Sequence, residues 1–117
     1  ASKPLKIIKR ANDRAERLMI LFMESLNPMP KLTWSKRFKQ KFDKWLRKHP
    51  ELLDVVKEKL KLLAVTPNAH ELNNHKLSGK LKEYRAISID MDHRIVFQYI
   101  SNDEVLLTSI GTHDEVY

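Results

Sequence analysis

The chain has no cysteine and only two glycines in 117 residues. Without cysteine it can form neither a disulfide nor a thiolate metal site, which fits a reducing compartment, so a cytoplasmic location is expected. Two glycines cannot build a glycine-rich phosphate loop. No apolar run approaches the length that spans a bilayer and no signal peptide is visible, so no membrane association is expected. None of the histidine pairs has the i, i+4 spacing of a helical zinc site. Ser78, Ser88 and Ser109 all lack the setting of a nucleophile elbow. Internal repeats and low-complexity tracts are absent too.

What is present is one domain's worth of chain with a modest core: 42% of residues are apolar and 32% charged, the balance of a soluble globular protein. The net charge of +7 is uneven. Residues 31–65 hold 11 basic and 4 acidic groups, whereas residues 66–117 hold 5 and 8. The basic charge therefore sits on the first half. It suits a polyanion bound through its phosphates, or a well-solvated helix face.

The spacing of Leu5, Ile8, Ala15, Leu18, Met19, Phe22 and Leu26 predicts one amphipathic helix over 1–26. Asn27-Pro28 ends it, because a residue before proline leaves the helical region. Residues 27–32 read as a linker, and Lys31 to Trp34 as a short extended run. Ser35 is a candidate N-cap for a helix whose apolar stripe is Phe38, Phe42, Trp45 and Leu46. His49-Pro50 breaks that helix. Pro50 then opens another, with Leu52, Leu53, Val56, Leu60 and Leu63 on its stripe, and the two form a hairpin. A polar loop follows over 68–80. Three strands are predicted at Tyr84–Asp90, His93–Ile100 and Glu104–Ile110, joined by turns short enough to force an antiparallel meander. Helices before strands imply an α+β fold, with the helices packed on one face of a small twisted antiparallel sheet.

The residues able to carry chemistry gather at the ends of these strands. They are His75 before the sheet, Arg85 and Arg94 at the starts of adjacent strands, Asp92 and His93 at the first turn, and His113 after the last strand. Histidines supply proton carriers near neutral pH, and arginines supply fixed cations for a phosphate. Cleavage of RNA by side chains alone needs those parts: a base for the 2′-hydroxyl, a cation for the phosphorane, and an acid for the 5′-oxygen. Simple exposure of the histidines, or pairing of the arginines with Glu83, Asp90 or Asp92, is the structural alternative.

Several runs resemble a known family. They are Trp34-Ser35-Lys36-Arg37-Phe38, Asn74-His75-Lys76-Leu77-Ser78-Gly79, Tyr84-Arg85, His93-Arg94-Ile95-Val96-Phe97 and the terminal Ile110-Gly111-Thr112-His113-Asp114-Glu115-Val116-Tyr117. Together these resemble the RelE/ParE superfamily of toxins of type II toxin–antitoxin modules, and within it the YafQ and RelE/StbE-type mRNA interferases. The resemblance spans about residues 31–117. It implies a RelE-like α+β fold and an endoribonuclease that cuts mRNA on the ribosome without a metal or other cofactor. It also implies a cognate antitoxin as partner.

By motif position His113 matches the catalytic histidine of the YafQ type, and Tyr117 the terminal aromatic that stacks on a base. His75 and Asp92 match further catalytic positions, Arg94 resembles the catalytic arginine of the RelE type, and Arg85 matches a basic position on the preceding strand. Arg85, Arg94 and His113 are expected to converge on one phosphate. Lys36, Arg37, Lys39 and Lys44 on the helix, with Lys76 and Lys80 beyond it, are the expected contacts to RNA and the ribosome. Two positions depart from the pattern: Ser88 stands where the YafQ type has a histidine, and His93 where it has a tryptophan.

The expected division is an N-terminal segment, 1–28, and a RelE-like toxin domain, 29–117. The first is either an extension or an antitoxin-derived piece, its helix packing on the toxin in cis or in trans. Two readings compete with the nuclease: a degenerate toxin serving as an antitoxin-binding repressor module, and a ParE-type gyrase poison.

Overall fold

The computed structural model describes residues 17–22 and 31–117. Most of the helix expected over 1–26, and residues 27–30 of the expected linker, lie outside the described residues. Residues 17–22 are helical and are called α1. Met19 on α1 is fully buried in the hydrophobic core, and Phe22 packs against that core. Residues 17–22 therefore pack in cis.

Then follow β1 (Lys31–Trp34), α2 (Lys36–Lys48), a 3-10 turn (Pro50–Leu52), α3 (Leu53–Val65), β2 (His75–Lys76), β3 (Arg85–Ser88), β4 (His93–Ser101), β5 (Glu104–Thr112) and α4 (His113–Val116). Ser35 caps α2 by accepting a hydrogen bond from the Phe38 N–H at 3.0 Å. Arg47 and Lys48 oppose the negative end of its dipole. Phe38, Phe42, Trp45 and Leu46 recur on one face of α2, and Val56, Leu60, Leu63 and Ala64 on one face of α3; all eight are buried. Among the described residues no helix is long and apolar enough to cross a membrane.

The sheet has the order β1-β5-β4-β3-β2. β3, β4 and β5 form the expected meander, with Arg85 to Ser88 antiparallel to Arg94 to Phe97. The two outer strands enlarge the three expected. β1 runs parallel to β5, held by Lys31 N–H to the Asp103 carbonyl at 2.7 Å and Ser35 N–H to the Leu107 carbonyl at 3.0 Å. The sheet is thus mostly, not wholly, antiparallel. β2 adds two residues beside β3, inside the stretch expected to be loop. β3 is shorter than expected because Asp90 turns the chain, and β5 is longer because its pairing with β4 continues to His93↔Thr112.

Alternation separates two faces. Ile87, Ile95, Phe97, Val105, Leu107 and Ile110 join the helices in the main core. Ala86 and Val96 are also buried but stand outside that cluster, on the second face. His75 pairs with Ala86, Arg94 with Ser88 and Gly111, and Ser109 with Val96, so these residues share the second face.

Candidate active site

The second face is closed at one end by α4. Thr112 caps this single turn by accepting from the Glu115 N–H, while the Glu115 carboxylate accepts from the Thr112 N–H at 2.9 Å. The pair is a capping box, readable in Thr112-His113-Asp114-Glu115. The Glu115 carboxyl is held below the ordinary glutamate range, first by the Thr112 N–H, then by the Thr112 side chain, with Lys48 and His93 adding. The cap fixes the direction in which His113 and Tyr117 leave the sheet. Gly111 lets α4 approach closely: a Cβ there would lie 3.1 Å from the Glu115 Cβ.

His113 is exposed, with Nδ1 3.5 Å from Asp114 Oδ1. Its ring meets Tyr117 edge-on, centroids 4.3 Å apart. The Tyr117 hydroxyl lies 3.4 Å from His75 Nε2. His75 Nδ1 sits 2.8 Å from the Asn73 carbonyl, which can only accept. The proton is therefore assigned to Nδ1 in the neutral ring, leaving Nε2 as acceptor toward Tyr117. Burial raises the Tyr117 phenol above its usual range, and the Arg94 guanidinium acts in the opposite direction. Arg94 Nη1 donates to the carbonyls of Asp90 at 2.7 Å and His93 at 3.0 Å. His75, Tyr117, His113 and Arg94 are thus brought to one end of the second face.

The other expected site residues are placed elsewhere. Arg85 pairs with Phe97 and so lies on the core-side face, opposite Arg94. The expectation that both arginines converge on one phosphate is corrected by this register. Arg85 Nε instead donates to Asn74 Oδ1 at 2.8 Å, and Asn74 Nδ2 donates to the Pro67 carbonyl at 2.9 Å. Arg85 anchors the chain immediately before His75. His93 is 8% exposed and also lies on the core side, its ring 4.5 Å from His49 and 5.6 Å from Trp45 between centroids. It is separated by the sheet from His75 and Arg94, and this burial replaces the exposed strand end that the turn suggested.

Asp92 is exposed at the turn and its N–H donates to Asp90 Oδ1 at 2.9 Å. Asp90, named in the sequence only as an alternative partner for the arginines, organises this turn. Its carboxylate also accepts from the His93 N–H at 2.7 Å and faces His93 Nδ1 at 3.0 Å. Burial pushes the Asp90 carboxyl up, but these bonds outweigh it and hold the group below its ordinary value. An aspartate at the first position of a tight turn is the signal that could have found it.

Lys36, Arg37, Lys39, Lys44, Lys76 and Lys80 are all exposed. Lys41, outside that set, donates from Nζ to Ser109 Oγ at 3.0 Å. Among the described residues no group of three or more His, Asp or Glu is placed to hold a metal ion. The Trp45 Nε1–H is buried without a hydrogen-bond partner.

A family model described as a bacterial toxin of type II toxin-antitoxin system, YafQ, matches residues 30–117. Comparison with curated proteins gave no significant match. Among solved structures, YafQ from E. coli strain BL21(DE3) is similar over 74% of this chain and 96% of its own, at 18% identity and a TM-score of 0.64. The copper-bound mutant toxin from Helicobacter pylori is 32% identical, over 76% of this chain and all of its own, with a TM-score of 0.60. The E. coli DinJ-YafQ toxin-antitoxin complex is similar over 76% of this chain and 98% of its own, at 19% identity and a TM-score of 0.64.

Proposed function

The chain belongs to the YafQ family of toxins of bacterial type II toxin–antitoxin systems, and on that premise we propose that it is a metal-independent endoribonuclease that cuts mRNA on the ribosome and so stops translation. The observation that carries this reading is the grouping of His75, Tyr117, His113 and Arg94 on one sheet face. It supplies two proton carriers and a cation, with His113 exposed and His75 and Arg94 partly exposed.

In the proposed step, His75 Nε2 accepts the proton of the 2′-hydroxyl. The 2′-oxygen attacks phosphorus, and the bond to the 5′-oxygen breaks as His113, in its protonated form, gives that oxygen its proton. The products are a 2′,3′-cyclic phosphate end and a 5′-hydroxyl end. Arg94 offers Nε and Nη2 to the extra charge on the phosphorane, since its bonds to the turn carbonyls use Nη1 alone. Tyr117 moves off Nε2, a contact of 3.4 Å being long for a hydrogen bond, and stacks on a base. Arg85 acts as a positioning residue, through Asn74, for the strand that bears His75. The requirement for a 2′-hydroxyl excludes DNA as substrate.

The exposed cations of α2, with Lys76 and Lys80, hold ribosomal RNA by its phosphates. E. coli YafQ is found in a complex with DinJ, and by that likeness a cognate antitoxin is proposed to silence this chain.

The test is to map mRNA cuts on ribosomes for the wild type, His75→Ala and His113→Ala. Loss of at least about a hundredfold in cutting is expected for each histidine, the usual scale of proton-transfer catalysis. Cuts that persist at the wild-type rate in both variants would refute the assignment. DNA damage in place of mRNA cuts would instead point to gyrase.

A further inference from the structure

We infer that Lys41 is a further phosphate-contacting residue of this site, carried by α2 to the sheet face that holds Arg94 and His75. The inference rests on the endoribonuclease reading and names a group that reading did not require.

α2 begins beside Leu107, where the Ser35 N–H bonds the Leu107 carbonyl, and packs along β5. Phe38 and Phe42 turn into the core from this helix, while Lys41 reaches past the flank of β5 to Ser109 Oγ at 3.0 Å. Ser109 pairs with Val96 and is the diagonal neighbour of Arg94, whose own partner on β5 is Gly111. Diagonal pairs of this kind are roughly 7–8 Å apart. The ammonium of Lys41 thus arrives on the Arg94 side of the sheet. An ammonium has three donors, and Ser109 uses one of them.

The local charge also calls for an anion. Arg37, Lys41, Lys44 and Lys48 recur at spacings of four, three and four, so they form one stripe along α2. Burial and the neighbouring Arg37 both disfavour the charged form of Lys41, and Glu115 only partly opposes them. Glu115 is already engaged in the cap of α4. A serine hydroxyl would be satisfied equally by a neutral donor. A cation kept here, against burial and a like charge, suits a phosphate oxygen arriving between Lys41 and Arg94.

The experiment compares Lys41→Gln, which keeps a donor for Ser109 but removes the charge, with Lys41→Arg, which keeps the charge. Single-turnover cleavage of ribosome-bound mRNA and the salt dependence of binding to a short single-stranded RNA with 2′-O-methyl sugars, which cannot be cut, are measured on the full chain. Lys41→Gln is expected to cut about ten- to a hundredfold more slowly, the scale of a charge-assisted bond. Its binding should show a log–log salt slope shallower by about 0.7, one phosphate contact fewer. Lys41→Arg should recover most of both. A Gln variant that cuts at the wild-type rate, or an Arg variant as slow as Gln, would overturn the inference. If Lys41→Gln also lowers the urea midpoint, the salt slope measured well below that midpoint decides: an unchanged slope overturns the inference. A wild type that cuts no ribosome-bound mRNA would overturn the parent reading itself, before any variant is compared.

Discussion

Replacing Met19 by alanine tests whether the segment before the family domain is part of the folding unit. Met19 precedes the family-matched residues, 30–117, yet is 0% exposed within the same hydrophobic cluster as Phe38, Leu60 and Phe97. Truncating a buried methionine removes transfer free energy and leaves a cavity, together about 2–5 kcal/mol. Its helical neighbours Leu18 and Leu21 are 46% and 61% exposed. Their replacement should cost about 0.5 kcal/mol or less. Urea unfolding of the full chain separates these cases. With an m-value of about 1.5 kcal/mol/M, a loss of about 3 kcal/mol lowers the midpoint by about 2 M. Leu21→Ala should move it by only about 0.3 M. Equal midpoints for Met19→Ala and Leu21→Ala would refute the placement of Met19 in the core. They would return residues 1–28 to the status of a dispensable extension or a detachable antitoxin-like piece.

Two further outcomes follow from the strand ends. Gly111→Ala places a Cβ 3.1 Å from the Glu115 Cβ, which should shift α4 by a few tenths of an ångström and disturb its cap. Cleavage should fall at least about tenfold, as small misplacements of catalytic groups cost rate. Loss of the His113 and Tyr117 ring contact in NMR spectra would report the movement directly. The second outcome concerns acid. The carboxyls of Asp90 and Glu115 are both held below their ordinary values. A depressed carboxyl contributes stability that is fully present above its unfolded pKa, about 4, and is lost as pH falls through the lower folded value. Urea midpoints should therefore be flat from about pH 7 to 5 with respect to these groups and fall below about pH 4. Asp90→Asn should be less stable at pH 7 and show a shallower fall. An equally steep fall in the variant would rule Asp90 out as a source of the acid sensitivity.

The elements with strong local signals were legible. Ser35 and the recurrence of Phe38, Phe42 and Trp45 at spacings of four and three specify α2, because the cap and the apolar stripe are both properties of neighbouring residues. The same holds for the β3–β4–β5 meander, whose turns are too short for any other connection. β1 against β5 was not legible as a pairing. Lys31 to Trp34 meets Glu104 to Leu107 across some seventy residues, and nothing local encodes that partner. β2 was missed because two residues carry no alternation pattern. α4 was missed although Thr112 and Glu115 have capping-box spacing, since one turn has no periodicity to recognise.

By itself the sequence determined the α+β class, the order of α2, α3 and the three meander strands, the basic first half, and the stretch from His75 to Tyr117 that carries most of the candidate site residues. These follow from composition, periodicity and turn residues, all of which act within a few positions of one another. Its motifs also sufficed to place the chain among the YafQ-type toxins. Only the tertiary structure decided which of those residues share a face. Register sends Arg94 and His75 to one side of the sheet, and Arg85 and His93 to the other, because a strand's side chains alternate and a single offset reverses them. Tertiary packing also joins Lys41 to Ser109, 68 positions away, and sets Met19 inside the core. Those contacts depend on how helices pack beside strands, and that packing is a property of the whole chain.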